Sequence, residues 1–466
     1  MNKIKFGTDG WRAIIAKEYT TDNVSRVSIA VAAWLHSKYK DPVVVIGHDC
    51  RFAGQLFAET AAKVLAHSGV RVKLAKGFVS TPMVSLGVVK EQANLGVVIT
   101  ASHNPPEYNG YKLKGDFGGP LLQNDISDVE SRIPDINSVD YNSISIVDLI
   151  EEGKIVHVDL EDMYCKHVAA NFDLPAINNS HMRFVYDSMY GAGMNVLNRL
   201  LPNITLLHCE NNPGFLGVSP EPIHRNLSEL SNLIKDNDLD CGLATDGDAD
   251  RIGLYDSKGN FIDSHHIILL LIHYLVKYKG MKGKVVTAFS CSVKIEKMCK
   301  FYNLDQETVK IGFKHIAGKM LNESILLGGE ESGGIATAGH IPERDGIWMG
   351  LILFEFMVKS GKSLEELIQE VYEIVGPFAF ERIDLHIDDN SKQRIIEYCQ
   401  ADRFKKFGKY EVQRIENTDG FKFFFDDDTW LMIRPSGTEP VLRTYAEAST
   451  QEKAFDILAD CKSTIL

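Results

Sequence analysis

Thr100-Ala101-Ser102-His103-Asn104-Pro105 follows directly on the apolar run Gly96-Val97-Val98-Ile99. A run of that kind predicts a buried strand, and strand carboxyl ends are where open α/β sheets build their sites. The chain thus delivers a hydroxyl and an imidazole into a turn at such a place. Serine is a weak nucleophile unless something activates it. Asp246-Gly247-Asp248-Ala249-Asp250-Arg251 supplies a candidate. Three carboxylates at alternate positions converge on one cation if the loop wraps, and hard oxygen ligands suit Mg²⁺. Arg251 behind them can stabilise charge on a transferring phosphoryl group. Alone, this hexapeptide is as readily a solvated acidic turn. Together the two segments read as phosphoryl transfer at Ser102.

Three rival motifs fail on spacing. A calcium loop needs Gly at its sixth position and Glu at its twelfth; here those are Arg251 and Ser257. Gly361-Lys362-Ser363 imitates the end of a Walker A loop, but Phe356 stands where the earlier glycine is required. Gly191-Ala192-Gly193 imitates a dinucleotide fingerprint, but Val196 holds its third glycine position. Neither ATP nor NAD is implied.

Further groups gain weight by company. Gly329-Glu330-Glu331-Ser332-Gly333-Gly334 ends another apolar run and suits bidentate recognition of sugar hydroxyls. Arg434-Pro435-Ser436-Gly437-Thr438-Glu439-Pro440 offers the parts of a phosphate nest, and Arg443 can add a second positive charge. A glycine-punctuated loop, Phe6 to Ala13, presents Arg12. Lys112 is a plausible proton carrier or phosphate ligand, and the loop around Gly312 offers Lys314 and His315. His48, Asp49, Arg51, Arg344 and Asp345 read as structural groups: caps and inter-loop ion pairs.

The elements that must position these groups recur as one unit: a short apolar run, a turn of Gly, Ser, Thr or Asp, then a helical pattern. Val43 to Ile46, Phe184 to Tyr186, Val285 to Thr287 and Ile325 to Leu327 all begin such units. Helices are predicted over 22–39, 55–68, 263–279, 347–359 and 363–374, which argues for parallel or mixed sheets covered on both faces. Polar seams fall near 137–154, 256–260 and 376–377. After Pro377 short alternating strands suggest a smaller α+β domain.

Composition sets the limits. A chain of 466 residues exceeds one ordinary core. A net charge of −13 argues against nucleic-acid or anionic-membrane partners. Eight scattered cysteines read as reduced thiols, and no apolar signal core is evident near Met1, so a cytoplasmic protein is expected. Ile267 to Val276 is too short for a membrane span and predicts a buried helix.

In this order, GTDGWR, TASHNP, DGDADR, GEESGG and RPSGTEP resemble the motifs of the α-D-phosphohexomutase family over essentially the whole chain. The resemblance implies a heart-shaped, four-domain α/β molecule. Three α/β/α mixed-sheet domains would span 1–155, 156–258 and 259–375, with a C-terminal α+β domain over 376–466, each sending one loop to a central cleft. Ser102 would carry the phosphoryl group and join Asp246, Asp248 and Asp250 around one Mg²⁺ per chain. Arg251 would sit beside the transferring group, with His103 and Lys112 as acid/base candidates. Glu330 and Ser332 would hold sugar hydroxyls; Arg434, Ser436, Gly437, Thr438 and Arg443 would grip the phosphate not being transferred. Arg12, Lys314 and His315 would complete substrate binding. Glucose 1,6-bisphosphate is the expected intermediate and activator, sugar phosphates the expected partners, and a monomer or homodimer the expected state. Glucosamine-type members commonly end the sugar loop with His, where this chain has Gly334, while Glu331 is similar to glucose-type loops. That favours glucose, with mannose tolerated, over glucosamine; a serine- and metal-dependent sugar-phosphate phosphatase is the further alternative.

Overall fold

Val44, Val45 and Ile46 are wholly buried, so the strand they form has no face left for water. A computed structural model, describing residues 3–7, 9–435 and 441–466, places that strand, Val43–His48, inside a six-stranded sheet. The strand order is Trp11–Ile14, Tyr108–Gly115, Leu95–Ile99, Val43–His48, Arg71–Ala75 and Ile155–Val158. The last four run parallel, whereas Tyr108–Gly115 runs antiparallel to Leu95–Ile99 and sets Lys112 opposite Val98. Lys112 therefore stands beside the strand that leads to Ser102. Helices Thr21–Lys38 and Gly54–His67 contribute Trp34, Phe57 and Leu65 to one apolar core with Val97 and Tyr111.

A second mixed sheet has the order Phe261–Ile262, Ile252–Tyr255, Cys241–Thr245, Phe184–Asp187, Thr205–Leu207. Cys241–Thr245 ends directly before Asp246, and its antiparallel return strand begins directly after Arg251. The whole hexapeptide is thus the turn of a hairpin. Farther along, Lys284–Ala288 pairs in parallel with Gln306–Val309, and Ile325–Gly329 antiparallel with Ile335–Thr337. Ser264–His273 is buried on every side, as its apolar run predicts, and no helix among the described residues is long and apolar enough to cross a membrane. Gly361 closes the helix Gly346–Ser360 at a φ of 66°. The next helix, Leu364–Val375, starts three residues on, so the Walker-like triplet is a helix-to-helix turn.

The C-terminal sheet is wholly antiparallel, in the order Ala379–His386, Val441–Ala448, Trp430–Pro435, Phe421–Phe424, Arg414–Glu416. Helices Asp389–Gln400 and Gln451–Ile465 supply Ile395, Ile457 and Leu458 to its core. By compactness the chain forms two units, Met1–Lys284 with Gly312–Leu367, and Val285–Ile311 with Ile368–Leu466.

Candidate active site

Ser102 is almost fully buried, and its backbone is left-handed, with a φ of 53°. That conformation costs a non-glycine residue roughly 1–2 kcal/mol. Its Oγ donates to Asp246 Oδ2 at 2.7 Å and lies 3.2 Å from His103 Nδ1. Such close approach of two loops depends on Gly247, where a Cβ would stand 2.6 Å from the Ser102 carbonyl oxygen. Any side chain at 247 would pry the hydroxyl away from the carboxylates.

Asp246, Asp248 and Asp250 are all fully buried, and each offers one oxygen within 4.8 Å of the others. Burial, and then the charges of Asp248 and Asp250, push Asp246 well above the usual carboxylate range. Burial would also raise Asp248, but the charge and hydrogen bond of Lys112, with a hydrogen bond from Thr81, hold it low. Lys112 Nζ donates to Asp248 Oδ2 at 2.8 Å and to Asp250 Oδ2 at 3.0 Å, and pairs with Asp9 at 3.0 Å. Burial would lower Lys112; Asp248, Asp250 and Asp9 reverse that and raise it above the usual lysine range, so it stays an ammonium. The other two oxygens, Asp248 Oδ1 and Asp250 Oδ1, are buried without a partner among the described residues. Two orphaned carboxylate oxygens beside a third repelled carboxylate are a donor set that suits a hard divalent cation.

Asp9, Arg344 and Thr81 join the carboxylates although none is a candidate site residue by sequence. Asp9, from the amino-terminal loop, pairs with Lys112, Lys114 and Arg344. Burial would raise its carboxyl, yet those three cations and Arg12 hold it well below the usual range. Arg344 also reaches Asp250 Oδ2 at 2.7 Å. It is the inter-loop ion pair expected, though with the carboxylates of the candidate site, while its neighbour Asp345 caps the following helix. Thr81 donates to Asp248 Oδ2. GTDGWR carries a signal for Asp9, a carboxylate three residues before Arg12, whereas nothing around Thr81 in the sequence marks it.

The remaining candidates divide. Arg12 Nη1 donates to Asn104 Oδ1 at 2.6 Å, joining the Ser102 loop. Arg251 lies 3.6 Å from Glu221, and its amide donates to Asp246 Oδ1 at 3.1 Å. Burial, and then the charges of Arg251, Arg12 and Lys112, press His103 well below the usual imidazole range. Glu330 accepts from the Gly312 amide at 2.9 Å, and burial, partly offset by Arg344, pushes it up to about 7. Ser332 is half-buried two residues on. The Ile252 amide donates to Gly333 at 3.2 Å, tying this loop to the carboxylate hairpin. A Cβ at Gly334 would meet Arg344 Cδ at 2.5 Å, so Arg344 occupies the space a larger residue there would need. Lys314 and His315, expected in a loop, instead lie in the first turn of the helix Phe313–Met320, because Gly312 ends the preceding extended segment. Lys314 is bonded to Gln123 at 2.6 Å.

In the C-terminal sheet Arg434 and Arg443 face each other on neighbouring antiparallel strands. Like charges directly opposite repel. Asp419, 3.4 Å from Arg434, answers part of that repulsion, and Arg443 Nε is buried without a hydrogen-bond partner among the described residues. Ser436, Gly437 and Thr438 lie outside the described residues.

Comparison with known proteins places this arrangement. Residues 3–140, 162–259 and 263–375 match the alpha/beta/alpha domains I, II and III of phosphoglucomutase/phosphomannomutase, and 398–462 match its C-terminal domain. A Thermococcus kodakarensis relative named phosphoglucomutase/phosphomannomutase is 30% identical over 97% of this chain and 96% of its own. The chain belongs to the α-D-phosphohexomutase family. It is an enzyme, an intramolecular phosphotransferase with the family's four-domain α/β architecture. A Methanocaldococcus jannaschii phosphoglucosamine mutase is 29% identical over 97% of this chain and 96% of its own. A solved Thermus thermophilus chain, described as a candidate phosphomannomutase, superposes with a TM-score of 0.87 at 30% identity, covering 100% of this phosphohexomutase and 99% of itself.

Proposed function

We propose that this phosphohexomutase shuttles a phosphoryl group between the 1- and 6-hydroxyls of a hexose through phosphorylated Ser102. The contact between Ser102 Oγ and Asp246, in a nest with two unpartnered carboxylate oxygens, carries the reading. The bond between Ser102 Oγ and phosphorus breaks as the sugar's free hydroxyl oxygen bonds to phosphorus, and the proton that hydroxyl loses passes to Ser102 Oγ. The resulting hexose 1,6-bisphosphate turns over and returns its other phosphate to Ser102. His103, 3.2 Å from Oγ, is placed to exchange that oxygen's proton. Asp246, Asp248 and Asp250, with the Ser102 oxygen, would hold Mg²⁺, which when bound neutralises phosphoryl oxygens. Lys112 keeps Asp248 ionised and ties Asp248 and Asp250 in place with one hydrogen bond to each. Glu330 and Ser332 receive sugar hydroxyls, and Arg434 with Arg443 anchors the phosphate not in transit. A phosphatase would have little use for that second grip. We place the first domain limit just after the strand Ile155–Val158, which pairs within the first sheet, and the others near 258 and 375.

For the sugar we take glucosamine phosphate as the first reading. Relatives of near full length carry that name, and Arg344 stands beside Gly334. The loop lacks His there, but it does not lack a cation. Glucose phosphate is the second reading, favoured by Glu331. Assays with glucosamine, glucose and mannose 1-phosphates, each with catalytic hexose 1,6-bisphosphate and Mg²⁺, decide between them. The highest kcat/KM should fall on glucosamine 1-phosphate, and all turnover should vanish in Ser102→Ala. Turnover in that variant would end the phosphoserine reading.

A further inference from the structure

Asp49 and Arg51 follow the strand Val43–His48, the parallel neighbour of Leu95–Ile99. Both side chains are wholly buried. Arg51 Nη2 donates to the carbonyls of Ser102 at 2.6 Å and Asn104 at 2.7 Å. Its Nη1 donates to those of Pro105 at 2.9 Å and Tyr108 at 3.2 Å. Three carbonyls of the loop after Ile99, and that of Tyr108 where the next strand begins, converge on a single guanidinium. Its Nε lies 3.3 Å from Asp49 Oδ2, and its amide donates to Asp49 Oδ1 at 3.0 Å. Asp49 Oδ2 also accepts from Thr100 Oγ1, which in turn accepts the Ser102 amide at 2.9 Å.

These contacts close a ring around one residue. The Ser102 amide runs through Thr100 to Asp49, the Ser102 carbonyl runs to Arg51, and Asp49 and Arg51 are paired. We propose that Arg51, seated by Asp49, is a positioning residue for phosphoryl transfer: it holds Ser102 in the left-handed backbone that aims Oγ at Asp246. This rests on the reading of Ser102 as the phosphoryl carrier. A serine left to itself relaxes out of the left-handed region. The Cα–Cβ bond then swings, and Oγ leaves the carboxylate nest. Gripping the peptide groups on both sides of the Ser102 Cα removes that freedom. The planar fork of arginine meets several acceptors at fixed angles, which a lysine ammonium cannot reproduce. The Phe215 ring lies 5.0 Å from the guanidinium and covers it. Arg51 contacts main-chain oxygens of the loop, so its effect on catalysis passes through the backbone of Ser102.

The test uses the full chain with Arg51→Lys, Arg51→Met and Thr100→Val, and Ser102→Ala as control. Single-turnover transfer from hexose 1,6-bisphosphate to Ser102 is measured per folded molecule, alongside KM and Tm. Transfer and kcat should fall on the order of 10²-fold in both Arg51 variants, with KM changed less than about threefold and no rescue by lysine. Thr100→Val should slow transfer in the same sense by a smaller factor. A purely structural role would lower Tm and leave transfer per folded molecule intact, and that result in Arg51→Lys or Thr100→Val overturns the proposal. If Arg51→Met does not fold, those two variants still decide. Turnover surviving in Ser102→Ala would instead defeat the phosphoserine reading; an inactive Ser102→Ala beside a fully competent Arg51→Lys defeats this inference alone.

Discussion

Ser102 and Asp246, 144 positions apart, share a 2.7 Å hydrogen bond in which the hydroxyl donates to a carboxylate strained by its neighbours. Burial and the charges of Asp248 and Asp250 resist ionisation of Asp246. A cation that binds the nest relieves that strain.

Mg²⁺ should therefore raise Tm, by the equivalent of about 2.7 kcal/mol at a hundredfold excess over Kd, and EDTA should reverse the shift. Asp246→Asn should abolish both turnover and the Mg²⁺ shift, yet leave the metal-free chain at least as stable as wild type. Thermal melts with and without metal check both. A metal-free variant melting well below wild type would show that Asp246 stabilises the fold as an anion.

Lys112 is shared by Asp9, Asp248 and Asp250. Removing one member of a buried ion group leaves its partners uncompensated and costs about 3–5 kcal/mol. Lys112→Met should lose that much stability in urea titrations. Lys154→Met, at the exposed pair with Glu152, should change it by less than about 1 kcal/mol. Equal effects would show that the buried network is not tighter than a surface pair.

Gly334 and Arg344 compete for one volume. Gly334→Ala should displace the guanidinium from Asp250 and cost about 1–3 kcal/mol, as overpacking does. The double variant Gly334→Ala with Arg344→Ala should cost less than the sum of the two single changes. Strict additivity would mean that the two positions are independent.

Glu330, at about 7, lies above the free glutamate value of 4.5. Between those two values the folded form keeps a proton that the unfolded chain has lost, so stability falls as pH rises through this window and levels off above it. Asp49, pushed up to about 6 chiefly by burial, acts in the same direction. Denaturant titrations from pH 4 to 8 should show a steeper fall for wild type than for Glu330→Gln. Parallel curves would mean that Glu330 titrates normally.

Arg434 and Arg443 stand opposite each other with one aspartate near Arg434. Arg434→Met should weaken binding of both the 1- and 6-phosphates while leaving the Mg²⁺ shift in Tm unchanged. Calorimetric titration separates the two effects. A loss of metal binding instead would remove Arg434 from the phosphate anchor.

The linear chain alone determined the chemistry-bearing pieces and the strands that carry them. Apolar runs ending in TASHNP and DGDADR had to place Ser102 and Asp246 at strand ends, since a strand with no polar face must be buried and its polar groups must gather where it stops. The helix-to-helix turn at Gly361 and the short alternating strands of the final domain were legible for the same reason: alternation and glycine placement act over a few residues. Pairing across the chain was not legible. Asp9 against Lys112, Arg344 against Asp250, Thr81 against Asp248, and the ring through Asp49 and Arg51 all join residues whose separation along the chain says nothing of their distance in space. Burial decides their charge states, and only packing decides burial. The helical setting of Lys314 and the space shared by Gly334 and Arg344 likewise belong to the tertiary structure, because excluded volume is a property of neighbours and not of a motif.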